Sequence, residues 1–108
     1  QGTIRARLSR QNHLKILRSI WEQRSSSLYP QLRCPVLLMP ARRSTDEVEA
    51  EWLRDKELGV ARAATLIPRA RTHWMENSIH DVHLQRPRAV AEAIIGFYFT
   101  ECVLLGQR

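Results

Sequence analysis

The sequence predicts an α/β fold: a βαβ piece of a parallel doubly wound sheet with flanking helices. Three observations carry that expectation. "PVLLMP" holds a continuous apolar run, Val36 to Met39, between two prolines. A short apolar run bounded by turn residues suits a strand buried on both faces, as parallel strands are. "DEVEAEWLRDKELGVARAATLI" follows with helical patterning, Val48 and Trp52 lying one turn apart. "ARTHWME" then alternates, with Thr72, Trp74 and Glu76 on one face and His73 and Met75 on the other. A strand, a helix and a second strand imply parallel strands joined by a right-handed crossover.

The other elements fall around this unit. In "SRQNHLKILRSIWEQR", Leu14, Leu17 and Trp21 recur at i, i+3 and i+7 with Ile20 beside them. That spacing predicts an amphipathic helix, capped by Ser9 or Asn12. "SSSLYPQLRCP" reads as a loop because of its serines and prolines, and "ARRST" as another. Thr45 is placed to cap the second helix, and Asp46, Glu47 and Glu49 sit where the helix dipole favours anions. Gly59 is a weak point where that helix is expected to bend or restart, and Pro68 ends the pattern. Pro87 suits the first turn of the last helix, "PRAVAEAIIGFYFTECVLL", whose expected buried face is Val90, Ile94 and Phe97.

Two parallel strands alone leave two edges unpaired and two faces uncovered. The pattern therefore asks for more strands than the chain holds. Either a second copy or another chain supplies them, or the sequence is the end of a longer α/β protein. A first residue that is Gln rather than Met fits a piece of something longer.

Composition bounds the function classes. With 108 residues and 44% hydrophobic content, the chain suits one folded domain. Its longest apolar stretch, "AIIGFYF", is too short to span a bilayer, and "QGTIRARLSR" has no signal-peptide character. A cytoplasmic protein without a membrane partner is expected. Cys34 and Cys102 are far apart in sequence, with no CxxC pair, and are expected to be buried free thiols. The net charge is +6, and 15 of the 17 basic residues are Arg. These arginines are spread along the chain rather than clustered with aromatics, so solvated surface charge is expected in place of a nucleic-acid partner.

The richest chemistry lies in "ENSIHDVHLQRP", Glu76 to Pro87. His80 and His83 are three residues apart, but the segment lacks the Glu of HExxH and any Cys partner, so no metal is expected. No serine has glycine two positions away on both sides, and neither cysteine looks activated, so the chain holds no credible nucleophile. The four glycines are scattered and form no phosphate loop, and no cofactor is expected. His80 remains as a candidate general base. It follows a strand at its carboxyl end, where parallel α/β sheets keep their active sites.

From "CPVLLMPA" through "HWMENSIHDVHLQRPRAVAEAIIGFY", residues 33 to 100, the chain resembles the last part of an α/β-hydrolase fold enzyme. In that family a buried strand is followed by a helix, a final strand and the catalytic histidine. Next come a segment of the form H-x-x-H-L-x-x-P and a terminal helix. His80, His83, Leu84 and Pro87 take those places here, followed by Val90, Ala91, Ile94 and Phe97. The resemblance implies that His80 is the triad histidine. The position of the triad acid after the first strand is Ser44. Asp46, two residues on, is then the nearest candidate, unless the acid comes from an earlier strand. Ile79 stands where the family usually has a small glycine. Residues 1–30 resemble the end of a helical cap plus linker, and 31–108 the C-terminal strands and helices of the core.

What this implies is the C-terminal portion of a cap-bearing hydrolase acting on a small-molecule ester or related bond. The nucleophile elbow would lie in an N-terminal half, and this chain would be inactive by itself. The alternative is a non-catalytic α/β interaction module that oligomerises or binds a partner. His83 and Leu84 are expected to be packing residues of a loop.

Overall fold

The computed structural model of the chain describes residues 7–43 and 47–104. It is a mixed α/β structure with two short parallel strand pairs. Helix α1 (Arg10–Glu22) comes first. Its N-cap is Ser9, whose hydroxyl accepts the Asn12 N–H at 3.2 Å, satisfying one of the donors that a helix start leaves open. Two single 3₁₀ turns, Ser25–Ser27 and Tyr29–Gln31, occupy the expected loop.

Strands β1 (Val36–Leu38) and β2 (Ala41–Arg42) precede helix α2 (Glu47–Leu66), and β3 (Ala70–Thr72) and β4 (Met75–Glu76) follow it. β1 pairs with β3 and β2 with β4, both in parallel. Val36 faces Ala70, Leu38 faces Thr72, Ala41 faces Met75 and Arg42 faces Glu76, so the offset along the chain never changes. The two pairs are thus one parallel ladder, and the whole is a βαβ unit. "ARRST" is not all loop, because Ala41 and Arg42 carry the first strand onward.

The gap in the ladder has a chemical cause. The even-numbered residues of the first strand face its partner. Val36 donates to the Arg69 carbonyl, the Leu38 carbonyl accepts from His73, and the Pro40 carbonyl accepts from Met75. Pro40 belongs to that set but has no N–H to donate, so one rung is missing and the regular strand breaks.

Helix α2 runs unbroken through Gly59, whose site meets no neighbouring atom. An exposed glycine within a long helix costs stability without forcing a bend. Pro68 follows the end of α2 closely, as expected. Helix α3 (Val82–Gln85) is one turn, and α4 (Pro87–Phe97) begins on Pro87. From Tyr98 to Leu104 the helix widens to π geometry. The Thr100 hydroxyl donates to the Gly96 carbonyl at 2.9 Å, competing with the backbone for that acceptor. Arg71 Nε meets Glu101 Oε1 at 2.5 Å and ties the widened segment to β3.

The core is thin. Among the described residues the buried apolar side chains are Ala41, Ile67, Met75 and Val82. Ala41, Met75 and Val82 cluster with Met39, Ala89 and Val90 around them. Three expectations are corrected here. Ile94 is exposed, and only Val90 and Phe97 of the proposed stripe are half-buried. Leu84 and His83 are exposed on α3, and Val82 does the packing. Cys34 and Cys102 are free but exposed. In each case the covering surface that burial needs is not supplied by the described residues. No helix among them is long and apolar enough to cross a membrane.

Candidate functional site

β2 and β4 end side by side, and the segment after β4 carries His80. Asn77 turns the chain with φ of 50°, a left-handed conformation that Asn tolerates better than most residues. Ser78 then points inward, only 3% exposed. Its N–H donates to the Arg42 carbonyl at 3.0 Å, and its hydroxyl to the Glu76 carbonyl at 2.9 Å. The Ile79 N–H donates to Gln85 Oε1 at 2.8 Å, and Arg86 Nη2 to the Asn77 carbonyl at 3.0 Å. His80 follows this braced segment, exposed to solvent at the carboxyl end of the parallel pair.

Beside it opens a cavity of about 860 Å³, walled by Ala41, Trp52, Leu53, Lys56, Ser78 and His80. Lys56 Nζ donates to the Ala41 carbonyl at 2.6 Å. In a parallel strand alternate residues face opposite edges, so this lysine caps a carbonyl on the edge away from β4. Asp55 also lines the cavity. It is the described carboxylate among the cavity's walls. Asp55 and Lys56 were not singled out in the sequence, and Trp52 only as part of the helical patterning of α2. Their i, i+3 and i+4 spacing on α2 is the signal that marks one helix face.

Arg42 is the electrostatic hub. Its Nη1 meets Glu57 Oε1 at 2.7 Å, and its Nε lies 3.2 and 3.1 Å from the two Glu76 oxygens, with Nη2 also on Glu76. Its guanidinium lies 4.5 Å from the Trp74 ring centroid, a cation–π contact. The hydrogen bonds that Arg42 donates to Glu76, then to Glu57, raise it above its already high ordinary pKa. The Arg42 hydrogen bond holds Glu76 below the usual carboxylate range. One arginine thus joins β2, β4 and α2. With its donors engaged this way, it serves the frame around the cavity.

The sequence-derived candidates meet this geometry unevenly. His80 stands at the cavity, whereas Asp46 lies outside the described residues. Among the described residues, no three His, Cys, Asp or Glu side chains group as a metal ion would need. His80 makes no hydrogen bond to a described side chain. A free imidazole at such a place can accept and release a proton once a reacting group lies beside it. Comparison with protein-family models, with curated proteins and with solved structures finds no match for the chain.

Proposed function

We propose that this chain is the C-terminal portion of a cap-bearing α/β-hydrolase fold enzyme, with His80 as its general base. Its target would be a small-molecule ester or related bond. The observation that carries this is His80 beside an 860 Å³ cavity at the carboxyl end of a parallel βαβ unit. His80 would take the proton of a nucleophile or attacking water and return it to the leaving group. The nucleophile would come from the N-terminal half of the sheet, so the chain alone does not turn over substrate. Asp46 would orient the imidazole, unless a carboxylate from an earlier strand does.

The test is His80→Ala in the complete enzyme, assayed on a p-nitrophenyl ester. The expected result is a fall in kcat of about 10⁴- to 10⁶-fold, the scale of losing a triad member, with an unchanged circular dichroism spectrum. Full activity in the variant refutes the assignment.

A second reading is favoured by one observation. The chain exposes 9539 Å², against about 6200 Å² for a folded monomer of its mass. A stand-alone interaction module would bury that excess against a partner or a second copy. It predicts a folded, sharply two-state oligomer in sedimentation. An unfolded or aggregating monomer counts against it.

A further inference from the structure

We infer that Gln85 is a positioning residue for His80, acting through the backbone of Ile79; this rests on the hydrolase assignment. The segment from Asn77 to Asp81 lies outside strand and helix, held at Ser78 by the Arg42 carbonyl of β2 and at Asp81 by the first turn of α3. Between these anchors its shape is also set by side chains that return to it from α3 and the residue after. Gln85 reaches back six residues to accept the Ile79 N–H at 2.8 Å, and Arg86 reaches back nine to the Asn77 carbonyl at 3.0 Å. α3 can serve as the fixed end because Val82 is buried against Ala41 and Met75.

The two bonds do different things. Arg86 steadies the left-handed turn that starts the segment. Gln85 grips the peptide nitrogen of the residue immediately before His80. That residue is Ile79, where a left-handed glycine would add freedom. A β-branched residue narrows the backbone, and the amide bond fixes its direction. His80 makes no side-chain hydrogen bond of its own to a described residue, so the backbone beneath it sets the position of the Cβ from which its ring extends. A base displaced by about 1 Å loses much of its rate, so such a brace bears on catalysis without touching substrate.

The test uses the complete protein, with hydrogen exchange at Ile79 and the imidazole signals of His80 read by NMR. Gln85→Leu removes the acceptor, and Gln85→Glu keeps one. Gln85→Leu is expected to speed Ile79 exchange about fivefold, the effect of losing one ordinary hydrogen bond. It is also expected to move the His80 signals while those of His13 stay in place. Gln85→Glu is expected to restore both. Unchanged exchange or unchanged His80 signals in Gln85→Leu would overturn the inference. So would a Gln85→Glu variant that behaves like Gln85→Leu. These readouts do not depend on turnover, so they stand apart from the His80→Ala assay. Loss of the hydrolase assignment leaves the loop result intact, and the converse also holds.

Discussion

Arg42 shows how one side chain can matter more to the frame than to chemistry. Two carboxylates, from α2 and β4, close on it, and a tryptophan ring lies beneath it. All these groups are at least partly exposed, so solvent screens the attraction. The pH dependence still has a definite sign. Glu76 has its pKa lowered in the fold by Arg42, from an ordinary value of 4.5. Its contribution is therefore present above that value and is lost as pH falls through the lowered folded value. In urea titrations of the complete protein, the unmodified form is expected to be more stable than Glu76→Gln at about pH 6, with the gap narrowing as pH falls below the ordinary carboxylate value. A gap that persists in acid would show that charge is not what Glu76 contributes. His80 illustrates the opposite case. Its residue type and place after a strand were legible, but the bonds that brace it were not. Gln85 and Arg86 meet the loop only because α3 folds back on it.

At the level of elements, the strand pair was legible and its interruption was not. "PVLLMP" and "ARTHWME" both form strand, because apolar runs and alternation are local signals. The missing rung depends on which edge Pro40 faces, and register decides that. Helix α2 was legible in full length, and Gly59 gave a false sign of a break because nothing presses on it. The apolar hold of the ladder on α3 includes Met75, which is 5% exposed and clusters with Ala41 and Val82. Met75→Ala is expected to cost about 2–3 kcal/mol, at the low end for such a truncation because the surrounding core is thin. Urea denaturation of the variant in the complete protein measures it. A loss within experimental error would mean that the cluster does not hold β4 to α3.

The whole molecule is larger than its mass should make it. Its radius of gyration is 17.6 Å, against about 13 Å for a compact domain of this length. The excess exposed surface is about 3300 Å² by the same scaling. Large obligate interfaces bury about 2500 Å² or more on each copy, so the excess is of the size that either a partner surface or the rest of a domain core would cover. Trp21 and Trp52 are 90% and 78% exposed, and α1 has no buried residue. Isolated, the chain is expected to bind the dye ANS strongly and to sediment without a single well-defined oligomer, with a broad urea transition. A discrete oligomer with little dye binding would instead favour the interaction module.

The sequence by itself determined the order and type of the main strands and helices and the place of His80 after a strand, but it read the single turn of α3 as loop. Those follow from apolar spacing, prolines and caps, which act over a few residues. Only the tertiary structure decided which backbone edge Pro40 faces and which helix face lines the cavity. It also decided that Gln85 and Arg86 brace the histidine segment and that the expected apolar faces lie open. These depend on how separate elements meet, and burial exists only where another surface arrives to cover it.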